Sequence, residues 1–231
     1  MDTTSKNARI AGFIYVLLAI VAPLRIMYIP STLFVKGDAT ATAANIAAHE
    51  SLFRLGIASD LLTGLLGLAV GLALYRLFKE VDRDLARLMV ILGPLMVTPI
   101  YFLNALNDTA ALTLVTGADY LSVFTKVQLD ALAMLFLRLH HYGIVVNEVF
   151  WGLWLLPFGI LIWKSRFLPK FLGVLLILNG IAYVAQAVTG VMFPAIEDRQ
   201  SSLLFPVLMG EVVTMLWLLI MGAKPRAPQP A

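Results

Sequence analysis

The feature that most constrains this chain is a set of six apolar stretches, each long enough to cross a lipid bilayer as a helix. About 20 apolar residues at 1.5 Å per residue cover the roughly 30 Å hydrocarbon core. The stretches run over residues 9–29, 52–78, 85–106, 142–163, 171–192 and 203–222. Backbone groups in hydrocarbon have no water to bond, so only helices or closed barrels can span it, and no stretch alternates with the two-residue period of a barrel strand. The expected fold is therefore all-α, a polytopic transmembrane helical bundle of six spans forming a single integral membrane domain over residues 1–231. Composition agrees, because 60% of the residues are hydrophobic and only 13% charged, which excludes an ordinary soluble domain and a disordered chain alike. The absence of cysteine excludes disulfides, thiolate metal sites and cysteine nucleophiles.

A formal charge of +3 is too small to argue for nucleic acid, so the placement of the charges carries the information. With the N-terminus in the cytoplasm, eleven of the 17 basic residues fall on the cytoplasmic side, among them Lys6, Arg9, Lys79, Arg83, Lys164 and Lys170. That bias predicts a multi-pass protein of a bacterial inner (plasma) membrane with the lipid bilayer as its partner and both termini cytoplasmic. The first span is expected to stay uncleaved, since Pro23 occupies the position where a signal would be cut. The connections on the other side, 30–51, 107–141 and 193–202, are longer, and loops of more than about 12 residues commonly carry a lid, a binding surface or a helix of their own. Asp119 is a candidate N-cap there, with Ser122, Lys126 and Asp130 as a polar stripe, so an amphipathic outer-surface helix is expected around residues 119–139.

An ionisable residue inside a span costs roughly 2.5–3.5 kcal/mol on insertion scales, so each one needs a partner or a purpose. On the second span Gly56, Asp60, Gly64, Gly67 and Gly71 share one helical face, which aims Asp60 at neighbouring helices. On the fourth, Arg138, His141, Val145, Glu148, Gly152 and Gly159 form a second stripe, and the sixth carries Glu211 well inside its apolar run. Together with polar positions on other spans, these define a candidate outward-facing pocket of Arg25, Asp60, Tyr101, Asn104, Glu148, Gln186 and Glu211, whose excess of acid suits a cation. The competing account is internal pairing: Arg25 or Arg54 with Asp60 or Glu148, and Glu50 with Arg54 as an ordinary i,i+4 surface pair. A zinc site is chemically open to His49, His141 and Glu148, although no HExxH spacing supports it. His140 and His141 point about 100° apart on a helix and cannot both serve one ion in regular geometry. No phosphate-binding glycine loop, no GxSxG elbow and no intramembrane lysine for a Schiff base is present.

The segment from Phe150 to Val184, with Phe150, Gly152, Ser165, Pro169, Leu172, Gly173, Gly180 and Tyr183, resembles a family of bacterial membrane proteins known as domain of unknown function 4386. The opening around Arg9 and Gly12 and the hairpin from Tyr75 to Leu85 are similar to it as well, so the resemblance extends over nearly the whole chain. It implies a six-span inner-membrane protein and brings no activity, substrate or catalytic residue with it.

Three functions follow as expectations. The first is a sensor or transporter-like binder of a cationic or amphipathic small molecule in the outer polar pocket. The second is an intramembrane metal-dependent hydrolase of lipid-like substrates, and the third a non-enzymatic membrane partner or immunity protein whose glycine face serves only helix packing. Nucleic acid is not an expected partner.

Overall fold

The computed structural model describes residues 3–225, and among these every regular element is helical. Helix α1 (Thr3–Pro23) passes through a π-helical turn (Leu24–Tyr28) into α2 (Ile29–Leu33), and the three form one apolar segment of 31 residues. Then follow α3 (Ala39–Ala48), α4 (Glu50–Phe78), α5 (Arg83–Val90), a second π turn (Ile91–Leu95) and α6 (Met96–Thr116). The chain ends in α7 (Lys126–Ser165), α8 (Lys170–Met192) and α9 (Glu197–Ile220). Among the described residues five segments are long and apolar enough to cross a bilayer: Thr3–Leu33, Glu50–Phe78, Arg83–Thr116, Lys126–Ser165 and Lys170–Met192. The sixth expected span is represented by a shorter apolar stretch, Pro206–Ile220 within α9.

Two boundaries differ from the sequence expectation for identifiable reasons. The third span was expected to end at residue 106, yet α6 continues to Thr116 because Thr109, Thr113 and Thr116 each donate a hydroxyl hydrogen bond to the carbonyl four residues back, at 2.7, 2.9 and 2.9 Å. Polar residues satisfied in this way do not interrupt a helix. Asp119 does not cap an amphipathic helix; it opens a single 3₁₀ turn, Asp119–Leu121. The cap is Thr125, whose backbone N–H donates to Gln128 Oε1 at 2.9 Å, and from there α7 runs unbroken for 40 residues into the expected fourth span. Asp130, expected on a solvated stripe, is only 1% exposed and pairs with Lys126.

The chain divides into two compact units. One is formed by Met1–Leu18, Leu66–Thr98 and Val145–Ala231. Its close packing rests on glycine: a Cβ on Gly159 would lie 2.6 Å from the Gly173 carbonyl oxygen, and one on Gly180 would lie 2.6 Å from that of Gly152. The antiparallel α7 and α8 therefore touch backbone to backbone at two levels, seven residues apart on each helix. At one end of this unit Asp82 caps α5 through Leu85 N–H at 3.0 Å and takes a 2.7 Å ion pair from Lys164. The lysine and the cap hold the Asp82 carboxyl below its ordinary value.

The other unit is formed by Ala19–Leu65 and Pro99–Ile144. The first long loop folds here as α3, begun by Asp38, whose side chain accepts from Ala41 N–H at 2.8 Å. Ile46 of α3 is fully buried among Ile29, Leu33, Phe53, Leu112 and Leu137, which form the apolar core of this unit.

Candidate functional site

Inside the second unit four ionisable side chains converge, one each from the first π turn, α4, α6 and α7. Pro23 has no N–H to give, and the turn after it is wound as π-helix, closed by Ile29 N–H on the Leu24 carbonyl. Such single π turns recur at functional sites because they re-aim a side chain without ending the helix. Here the turn carries Arg25, which is 2% exposed and lies 5.4 Å from the Phe34 ring and 5.9 Å from that of Phe53. A Cβ on Gly56 would lie 3.2 Å from Arg25 Cδ, so the glycine face of α4 leaves a track for the arginine stem. The guanidinium grips Asp108 with two hydrogen bonds, Nε to Oδ2 at 2.5 Å and Nη2 to Oδ1 at 2.7 Å. A buried bidentate pair of this kind fixes both partners in position.

Asp108 shares a face of α6 with Tyr101 and Asn104, all three buried. A Cβ on Gly143 would overlap the Asn104 amide, so that glycine lets α6 lie close to α7 beside His140. The His140 ring presents one nitrogen to each acid: Nδ1 is 3.2 Å from Asp108 Oδ1, and Nε2 is 3.6 Å from Asp60 Oδ2. Neither ring nitrogen has a well-directed hydrogen bond, and neither oxygen of the fully buried Asp60 has one at all. The neighbours of Asp60 on α4 are satisfied locally, Ser59 on the Gly56 carbonyl and Thr63 on the Ser59 carbonyl, each at 2.7 Å. Asp60 thus stands out as a carboxylate in an apolar interior facing an imidazole across a gap too long for a hydrogen bond.

One ligand atom from each of Asp60, Asp108 and His140 can be chosen so that all lie within 4.8 Å of one another, and among the described residues this is the group of side chains able to hold a metal ion. On every contributing segment the apolar core residues lie on the α3 side of the polar one: Leu33 follows Arg25, Phe53 precedes Asp60, Leu112 follows Asp108 and Leu137 precedes His140. The cluster is capped at that end by hydrocarbon and not by an open polar mouth.

The residues expected to form one pocket are drawn from both units. Arg25, Asp60, Tyr101 and Asn104 belong to this unit; Glu148, Gln186 and Glu211 belong to the other. There Gln186 donates to Glu148 at 2.8 Å, and Glu211 is held by the hydroxyls of Tyr15 and Tyr183 and, through its backbone N–H, by Asn179 Oδ1 at 3.0 Å. The expected zinc ligands are not those of the metal-competent group. His49 is exposed and ends α3, its ring on the Asn45 carbonyl at 3.0 Å; His141 is exposed and packs on Tyr142; Glu148 lies in the first unit. The buried histidine is His140. Its signal in the sequence is position, since it continues the face of Ala133 and Leu137 at spacings of four and three, flanked on that face by the buried polar Asp130 and Asn147. Asp108 continues the Tyr101–Asn104 face beyond residue 106, where the apolar stretch expected to form the third span stops, so hydropathy does not mark it as intrahelical. Arg25 takes Asp108 in place of the expected Asp60 or Glu148, while Arg54 makes the expected surface pair with Glu50 at 2.7 Å.

The profile of the domain of unknown function DUF4386 matches residues 10–222. The chain belongs to the DUF4386 family. The matched region takes in nearly all of both units, so in this DUF4386 protein the polar cluster is part of the family domain and not an appendage. No curated protein and no solved structure matches the chain. The glycines by which DUF4386 was recognisable are packing positions. A Cβ on Gly12 would meet the backbone at Leu218 and Leu219, and Gly152, Gly173 and Gly180 build the α7–α8 contact.

Proposed function

We propose that this DUF4386 protein is a membrane-embedded cation binder in which Asp60, Asp108 and His140 hold one divalent ion, zinc being the best match to a mixed imidazole and carboxylate set. The observation that carries the reading is the 3.6 Å gap between Asp60 Oδ2 and His140 Nε2. It is too wide for a hydrogen bond, yet two donors on one tetrahedral zinc stand about 3.4 Å apart. Asp108, with both oxygens gripped by Arg25, is fixed beside the same imidazole, its Oδ1 3.2 Å from Nδ1. The compact, capped site suits a bare ion better than an amphipathic molecule. In the same reading the chain is a single multi-pass domain of the inner membrane with cytoplasmic termini, supported by the basic bias of the Lys79 and Lys164 turns, and α3 lies on the outer side.

The test is elemental analysis of protein purified in mild detergent without chelator. Near-stoichiometric zinc is expected, lost in Asp60→Asn and His140→Ala and kept in His141→Ala and Glu148→Gln. Metal-free wild type that resists loading with added zinc, or zinc unaffected by Asp60→Asn, overturns the assignment.

A second reading, metal-assisted hydrolysis of a lipid-like substrate, is favoured by the ligand count and the charge. Three protein ligands leave a fourth position on zinc, the pattern of catalytic sites. Arg25 offsets Asp108, so Asp60 is the one carboxylate left to balance a divalent ion, and an anionic fourth ligand would bring the cluster to neutrality. Zinc-dependent release of fatty acid or amine from bilayer lipid, abolished by His140→Ala, would promote this reading.

A further inference from the structure

The first unit contains a second polar constellation that the metal reading does not use. Glu211 is half-buried on α9, nine residues before its end and so about 14 Å along the helix from Ile220, deep within the apolar stretch. Three groups are spent on placing it: the Tyr15 hydroxyl donates to Oε1, the Tyr183 hydroxyl reaches Oε2 at 3.5 Å, and Asn179 Oδ1 accepts its backbone N–H. Each tyrosine is backed by a tryptophan, Tyr15 by Trp154 at 5.9 Å and Tyr183 by Trp151 at 5.6 Å between ring centroids. Among the described residues no lysine, arginine or histidine makes an ion pair with Glu211. One turn beyond Tyr183 on the same face of α8, Gln186 gives its amide N–H to Glu148, and its Oε1 is a buried acceptor with no hydrogen bond.

A carboxylate at this depth is expensive without a cation. Aromatic faces attract cations, a spare buried carbonyl calls for an N–H donor, and apolar surroundings call for an apolar body. We infer that Glu211, Tyr15, Tyr183 and Gln186, with the two tryptophans, form a site for a lipophilic ammonium: a protonated primary or secondary amine on a hydrophobic or aromatic frame, reaching the site from within the bilayer. The ammonium N–H groups donate to Glu211 and to Gln186 Oε1, and the frame lies against Trp151 and Trp154. The site uses none of the residues proposed above to hold a metal ion, Asp60, Asp108 and His140.

The test uses the full chain in phosphatidylcholine nanodiscs, whose lipids carry no N–H amine, with tritiated propranolol as the protonated secondary amine and its N-acetyl derivative as the uncharged control. Saturable binding above that of empty nanodiscs is expected for the amine and not for the acetamide. Glu211→Gln should weaken it by about tenfold or more, the equivalent of roughly 1.4 kcal/mol per factor of ten. Tyr183→Phe, which keeps the ring and removes only the hydroxyl, should weaken it less, and Asp60→Asn should leave it unchanged. Absence of saturable binding, equal binding of the acetamide, or undiminished binding in a Glu211→Gln protein that keeps wild-type helicity and elution would each overturn the site. Loss through Asp60→Asn but not Glu211→Gln would move the ligand to the other unit and overturn it equally.

Discussion

Arg25→Met is the perturbation that most directly examines the buried cluster. The substitution keeps an unbranched apolar stem beside Phe34 and Phe53 and removes the guanidinium, leaving Asp108 in the interior with both hydrogen bonds gone. Breaking a buried ion pair from one side costs about 3–5 kcal/mol, because the surviving charge keeps its desolvation penalty without its partner. At roughly 2–4 °C per kcal/mol for a chain of this size, the unfolding midpoint should fall by about 6–20 °C. Adding Asp108→Leu removes the stranded charge, and the double variant should recover most of that loss, since an apolar replacement of both partners is commonly close to neutral. The assay is thermal unfolding in mild detergent followed by far-ultraviolet circular dichroism on wild type, both singles and the double. A single Arg25→Met variant within about 1 kcal/mol of wild type, or a double variant as unstable as the single, would refute the argument that this pair is a buried, mutually dependent unit.

Gly159→Ala should destabilise the chain by about 1–3 kcal/mol in the same assay, because its Cβ would have to displace the Gly173 carbonyl, which is backbone and cannot swing aside. Ile46→Ala should raise hydrogen exchange across Ala39–Ala48 by loosening α3 from its apolar seat, at a cost of about 2–5 kcal/mol, while leaving exchange in Lys170–Met192 unchanged. The Asp82 carboxyl, held below its ordinary value by Lys164 and the Leu85 N–H, contributes stability that is present above its unfolded pKa and fades as pH falls through the lower folded value. The acid limb of the wild-type stability profile should therefore be steeper than that of Asp82→Asn, and a pair of parallel profiles would count against it.

Much of the architecture is legible in the order of residues, for physical reasons. Lipid leaves a backbone no alternative to helix, so the long apolar runs dictate where α4, α6, α7 and α8 lie even though their ends do not. Ends are hard to place because threonine serves both outcomes: Thr109, Thr113 and Thr116 prolong α6 by bonding backwards, whereas Thr125 starts α7 by bonding forwards. The acidic face of α4 is readable because glycines mark it, and Asp60 follows from them. His140 is not, because a helical wheel shows which face a histidine occupies but not whether that face meets protein, and the neighbouring His141 looks equally eligible. The interior place of Arg25 is legible, but its partner is not. The π turn at Leu24–Tyr28 inserts one residue into the helical count, so a wheel drawn straight through it does not show that the guanidinium meets Asp108.

The hydrocarbon cap formed by Leu33, Ile46, Phe53, Leu112 and Leu137 has a kinetic meaning apart from its contribution to stability. In the proposed reading, an ion leaving through that end would have to wait for the cap to open, so its residence time would reflect the opening rate as well as the strength of its ligand bonds. An added chelator would report how often the cap lifts.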